Sequence, residues 1–375
     1  NKRFQDPGSD ASGTISLSVS SLQFLDKGNG KVNIVFPEKI PVILRSNSPN
    51  DGAFEMQLNL TQRNLVITAS GKPDELRHDY AAETVGLNLG KFVLDGTEVP
   101  GTDVLAELDI HDITGTSIRA LRTDRNYTQN LSIGRMSYQG SMSIPSAAET
   151  RYNFSGQTTG LEFTGTTALP VILNWSDPLA VLTAGASFDA DWRYDRAEGD
   201  MSSVEGGEKF QQSSEITAGS GRLALDKQRL LYKTKSAQSN LFLVMDALPF
   251  PISLSLAKAA ANVLLPLTAN PTAQPFNLGL SLSDFVMSDM MWALFDYEEI
   301  LPRDPISLGL EVSGKIKLVH DIFSPEFIEA LGQDNSIPFE LEHIDICQLH
   351  RAGAGAALEG AGRFEIDNRD FETFE

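Results

Sequence analysis

Apolar and polar residues alternate along much of the chain. Ile15, Leu17 and Val19 fall two apart, as do Phe54, Met56, Leu58 and Leu60. The same spacing returns at Val85, Leu87 and Leu89, at Phe188, Ala190, Trp192 and Tyr194, and at Phe276, Leu278, Leu280 and Leu282. It recurs at Ile306, Leu308, Leu310 and Val312 and at Ala354, Ala356 and Leu358. A period of two places successive side chains on opposite faces of a strand, so each run predicts a strand with one apolar and one polar face. Such strands belong to antiparallel sheets covered on one face, and the fold class predicted is mainly β with large sheets of that kind.

Turn chemistry separates the runs. Lys27-Gly28-Asn29-Gly30, Pro49-Asn50-Asp51-Gly52 and Asp95-Gly96 supply residues that accept positive φ in tight hairpins. Helical signals are few. The spacing predicts short helices over 289–296 and 325–331, the second with proline in its first turn and Gly332 as its stop. Residues 252–265 are ambiguous, being alanine-rich yet alternating at Leu254 and Leu256. Arg196 to Gly221 holds Gly199, Gly206, Gly207, Gly219 and Gly221 among Ser, Glu and Gln, and reads as a linker or long loop. That division gives an N-terminal β unit over 1–195 and a C-terminal β unit over 222–375. Val32–Phe36, Pro37–Leu44 and 54–60 are echoed in order by Leu241–Met245, Pro249–Leu254 and 276–282. Two related β units would produce this echo, but alternating strands also resemble one another by default.

Composition narrows the partners. With 41% hydrophobic and 21% charged residues, 375 residues can build a sizeable core. Thirty basic against fifty acidic side chains leave a net charge of −20, a field that repels phosphate backbones and disfavours nucleic acid. No run approaches the roughly 18 apolar residues of a membrane-spanning helix. The single cysteine, Cys347, has no internal disulfide partner and reads as a small buried apolar residue. The sequence begins at Asn1 without methionine and stops abruptly after Phe371 and Phe374, so both ends read as cut.

Catalytic motifs do not emerge. The five histidines form no H-E-x-x-H pairing, and there is no G-x-S-x-G elbow, P-loop or G-x-G-x-x-G turn. No cofactor, metal or enzyme activity is therefore expected. Asp189, Asp191, Asp195, Glu198 and Asp200 are dense but lack the spacing of a calcium loop, and alternation puts Asp189 and Asp191 on a solvent face. Leu301-Pro302-Arg303-Asp304-Pro305 predicts a turn with a local ion pair. The more informative segment is rich in methionine and aromatics. Phe285, Met287, Met290, Met291, Trp292 and Phe295 either complete a core or line an apolar cavity for a lipid or other hydrophobic ligand.

Several stretches also resemble a known family. Leu248-Pro-Phe-Pro-Ile, Leu282-Ser-Asp-Phe-Val-Met-Ser-Asp-Met-Met-Trp-Ala-Leu-Phe-Asp, Leu301-Pro-Arg-Asp-Pro and Asp321-Ile-Phe-Ser-Pro-Glu are the residues concerned, with Gly30-Lys-Val-Asn-Ile-Val-Phe-Pro near the start. Together they resemble a domain-of-unknown-function family of alphaproteobacterial envelope proteins that carry an export signal. The resemblance implies a β-rich, exported, periplasmic or other envelope protein and carries no catalytic residues with it. The expectation is a binding module for a lipid or similar ligand, the alternative a structural or protein-interaction component of the envelope.

Overall fold

The computed structural model describes residues 2–5, 12–48, 52–121, 125–144, 150–171, 178–331 and 338–365. Its 22 strands join into one sheet, and every pairing described is antiparallel. The chain opens with β1 (Lys2–Gln5), β2 (Ser12–Leu17), β3 (Gln23–Gly28), β4 (Lys31–Val35), β5 (Lys39–Ser48), β6 (Gly52–Arg63) and β7 (Val66–Lys72). Long strands follow: β8 (Glu75–Leu94), the short β9 (Thr97–Val99), β10 (Val104–Leu121), β11 (Arg125–Ile144) and β12 (Thr150–Leu169). After α1 (Pro178–Thr183) come β13 (Ser187–Tyr194), β14 (Arg196–Glu205), β15 (Glu208–Ile216), β16 (Gly219–Leu225), β17 (Arg229–Met245), β18 (Ile252–Pro266) and β19 (Gln274–Met287). Then α2 (Asp289–Trp292), β20 (Ile306–Leu318), α3 (Pro325–Leu331), β21 (Phe339–Gly353) and β22 (Ala356–Glu365) complete the described chain.

The sheet is an up-and-down meander, because tight turns can join antiparallel neighbours directly. Asn29 (φ 53°) and Gly30 (φ 70°) turn β3 into β4, and Asp95 (φ 48°) and Gly96 (φ 78°) turn β8 into β9, as their residue types predict. Of the Pro49 to Gly52 turn, residues 49–51 lie outside the described residues. Where the meander is not a run of full-length strands, two shorter strands lie end to end against one long neighbour. β6 and β7 both pair with β8, β13 and β14 with β12, and β15 and β16 with β17.

Several expectations change here. The 196–221 stretch is not a linker or loop: it forms β14, β15 and the start of β16, in the middle of the sheet. Gly206 and Gly207 turn β14 into β15 at positive φ, while Gly219 and Gly221 are strand residues whose missing Cβ space is filled by Tyr194 and Trp192 on the neighbouring strand. Residues 252–266 are strand throughout. The 289–296 helix is shorter than predicted. The Asp296 carboxylate accepts the Ile300 and Leu301 N–H groups at 3.0 and 3.1 Å and draws the chain into a turn. α3 matches its expectation, with Gly332 outside the described residues. Cys347 is exposed rather than buried, since the pairing of β21 with β22 skips it and its Sγ faces Ser313 Oγ at 3.0 Å.

One irregularity crosses the sheet from strand to strand. Glu83 in β8, Asp112 in β10, Gly134 in β11 and Gly160 in β12 are each skipped by the pairing, while residues on both sides keep one register. The same line continues through Asp195 between β13 and β14, Gln238 in β17, Ala257 in β18 and Asp284 in β19. Asn64, Asp112, Gly160 and Asp284 on this seam have φ between 54° and 63°, a left-handed conformation open to Gly, Asn and Asp. At the seam the alternation slips by one residue. Apolar-face positions in β8 run Tyr80, Ala82 and then Val85, Leu87; in β19 they run Leu280, Leu282 and then Phe285, Met287. The doublets between them, such as Glu83-Thr84 and Ser283-Asp284, are polar. Glu83 reaches Arg63 at 3.1 Å, and Arg63 is the cross-strand partner of Thr84, so both members of the doublet serve the polar face. The seam residue thus absorbs the slip, and the apolar face continues unbroken across it.

Burial is concentrated at the ends of the strands. α1 packs Val181 and Leu182 with Ala186 against Leu225. At the same end Leu267 (2% exposed), Phe276, Leu318 and α3's Phe327 are buried. α2 buries Trp292 at the opposite end. Over the middle, the sheet lacks such cover. The accessible surface of the chain is 23290 Å², against roughly 15,000 Å² for a compact protein of this mass.

Candidate functional site

The candidate site is the apolar face of the sheet. Directly paired residues share a face, so the registers carry its membership from strand to strand. On one side of the seam it includes Leu44, Met56, Phe92, Leu108, Tyr138, Phe154, Met201 and Leu243. On the other it includes Ile67, Ile113, Leu131, Phe163, Trp192, Tyr232, Val263, Leu280 and Leu310. Many of these side chains are substantially open to solvent, among them Phe154 (49%), Leu280 (47%) and Met201 (43%).

Aromatic residues on this face lie across glycines. Tyr80 pairs with Gly115, Phe154 with Gly140, Tyr138 with Gly156, Tyr194 with Gly219, Trp192 with Gly221 and Phe276 with Gly314. In each pair a Cβ on the glycine would run into the ring. Glycine weakens a strand by leaving nothing to pack, and a ring laid over it restores the contact. The face is paved with flattened rings, and the neighbouring side chains push the Tyr80 and Tyr194 hydroxyls above their ordinary pKa through burial. This rule also explains why a Gly-rich stretch could be mid-sheet strand. The signal was present as glycines set against aromatics one strand away, but only the register reveals it.

The six residues singled out from the sequence do not form one pocket. Phe285 and Met287 lie on the apolar face at the end of β19, half-buried. Met291 is half-buried in α2, while Met290 and Phe295 are exposed. Trp292 is 4% exposed and stacks against Phe295 with ring centroids 5.1 Å apart, which makes it core at this end of the sheet. Arg303 reaches back to α2, with Nη1 2.8 Å from Asp289 Oδ1 and Nη2 3.3 Å from Glu299. The ion pair expected there is thus made across the loop.

The opposite face is polar and carries cross-strand ion pairs. Arg193 meets Glu162 at 2.7 Å and Arg222 meets Asp189 at 2.8 Å, and within β8 Arg77 meets Asp79 at 2.6 Å. The bond from Arg77 holds the Asp79 carboxyl below the usual carboxylate range, and Arg363 does the same for Asp345. These pairs are exposed and screened by solvent, so they add little to stability. A depression of about 730 Å³ on this face is lined by Glu162, Asp191, Arg193, Arg222, Lys233 and Asn262 among others. Its charges are of both signs: Arg193 pairs with Glu162 and Arg222 with Asp189, while Asp191, Lys233 and Lys235 make no ion pair among the described contacts. Asp189, Asp191, Glu198 and Asp200 belong to this polar face, where Asp189 and Glu198 hold arginines.

The fold and the face define the class: an open antiparallel meander with one polar face and one uncovered apolar face. No helix among the described residues is long and apolar enough to cross a membrane. No family model, no curated protein and no solved structure matches the chain.

Proposed function

We propose that this chain is a non-catalytic binding module of a bacterial cell envelope that holds a lipid or another elongated hydrophobic ligand along the apolar face. One observation carries the reading: the apolar face runs unbroken across the seam and stays open. An exposed apolar patch larger than a few hundred Å² marks an interaction site, because leaving it in water costs about 25 cal/mol per Å². The dimensions favour a long ligand. β8, β11 and β12 each have 20 residues, about 65 Å at 3.3 Å per residue. That is more than twice the roughly 30 Å hydrocarbon core of a bilayer, so insertion of this face as a barrel wall is the poorer fit. The exported location rests on the family resemblance of the sequence.

The test is native mass spectrometry of the full-length protein purified gently from its own envelope, with a parallel lipid extraction. A reproducible bound mass matching an extracted lipid is expected. Leu280→Glu and Phe154→Glu should fold and lose that mass, since both side chains are open. A clean apo mass that does not change on incubation with envelope lipids would overturn the proposal.

A further inference from the structure

One stretch of the apolar face is not apolar. Beyond Leu131 and Phe163, toward the strand ends, the register sets Ser117 against Gln129 and Arg119 against Tyr127, with Thr167 next in the same row. Arg125 stands two residues before Tyr127 in β11, so it shares this face and is the diagonal neighbour of Arg119, within reach of a long side chain. All six are half-buried. Arg119 lies between Leu76 and Tyr127 on the flanking strands. Its Nε is cut off from solvent with no hydrogen-bond partner, and its guanidinium makes no ion pair among the described residues. The Arg125 side chain donates to the Val171 carbonyl at 3.3 Å, which leaves its charge unneutralised as well. No carboxylate shares these rows, and Glu75 pairs with Ala120 and so faces the polar side.

We propose that Arg119, with Arg125 beside it, receives the anionic headgroup of the ligand, a phosphate or carboxylate, while the tail runs along the apolar face past Leu131 and Phe163. The ligand is then an acidic amphiphile and not a neutral oil. Arginine is seldom buried without a partner, and an orphaned buried donor calls for one. Guanidinium N–H groups match the paired oxygens of carboxylate and phosphate, and the Tyr127 and Thr167 hydroxyls in the same row can donate to the oxygens that remain. Charge argues the same way. The chain carries −20, so its overall field repels an anion, and holding one takes a local pair of cations such as this. A few polar groups converging on an otherwise apolar surface are what fixes the orientation of a bound ligand. The inference rests on the binding reading above and names its ligand class.

The test titrates the delipidated full chain with two lipids of identical tails, dioleoylphosphatidate and dioleoylglycerol, presented in the same non-ionic detergent. The parent should bind the phosphatidate about tenfold more tightly, the scale of a charge-assisted hydrogen bond. Arg119→Gln should bring the two affinities together by weakening phosphatidate alone, and Arg125→Gln should do so by a smaller factor. Arg119→Lys keeps the charge and should keep most of the preference, which a merely structural role for the guanidinium does not predict. The urea midpoint of Arg119→Gln should match the parent, since its side chain has no partner to lose. Millimolar inorganic phosphate should not displace the phosphatidate, and displacement would replace the headgroup assignment with a site for a free oxyanion. Equal affinity of the parent for both lipids, or an Arg119→Gln variant that still discriminates, would overturn the headgroup assignment and leave lipid binding standing. Failure of the parent to bind either lipid would overturn the binding reading and this inference with it.

Discussion

The helix-covered end of the sheet and its open middle are made of the same strands with the same alternation. Near α1 and α3, Leu267, Phe276, Leu318 and Phe327 are buried. Further along, Phe154, Met201 and Leu280 occupy equivalent positions on the same face and stay open. The difference lies in the connections. At the covered end the chain spends α1, α3 and the 267–273 segment on crossing between strands, and Ile322 N–H bonds the Leu267 carbonyl at 3.0 Å to hold the cover down. In the middle no connection among the described residues passes over the face. The sheet is therefore stabilised along its ladders everywhere, and by a packed core mainly at the ends, with Ala82 and Ile133 buried beside the seam.

That contrast is open to direct measurement by urea denaturation. Leu267→Ala should cost about 2–5 kcal/mol, as filled core positions do. Leu280→Ala, on the same face but open, should stay within about 0.5 kcal/mol. Equal losses would mean that the middle is as well covered as the end. The seam should give an intermediate effect. Gly160 has φ 63° and its missing Cβ points at the Asp195 carboxylate, so Gly160→Ala should cost about 1–3 kcal/mol. A neutral result would show that the seam residue is not held in the left-handed conformation. In the open middle, Met201→Ser should leave the urea midpoint unchanged and reduce the bound lipid mass, separating binding from folding at one residue.

The smallest effect belongs to the polar face. Asp79 is held below the ordinary carboxylate range by Arg77, so its contribution is present above that range and lost as pH falls through the lower folded value. Arg77→Gln should remove that contribution and move the acid midpoint slightly upward, with no change at neutral pH in ligand retention. A large shift would mean that this exposed pair contributes more than its solvent exposure allows.

Much of the fold was legible in the sequence. Runs such as 276–282 and 306–312 announced strands with one apolar face, and Asn29-Gly30 and Asp95-Gly96 announced their turns. The seam was not legible. A doublet such as Glu83-Thr84 interrupts the alternation, so one long strand reads as separate short ones. The 196–221 stretch failed for another reason. Its Ser and Gly positions carry little apolar pattern, and only Tyr194 and Trp192 on the neighbouring strand show why Gly219 and Gly221 belong in a sheet. Of the six candidate site residues, Phe285 and Met287 fall on the apolar face and Trp292 is core. A Met/aromatic-rich segment cannot tell the two apart without the direction of each side chain.

The sequence by itself determined that this chain is β, which residues share a face within each short run, and where hairpins such as Asn29-Gly30 and Asp95-Gly96 turn, because pleat and turn geometry are local properties of the backbone. The tertiary structure alone decided which strands lie together, that the slips align into one seam, and that the apolar face remains uncovered. Those outcomes depend on which distant segments reach one another, and alternation with a period of two carries no information about partners.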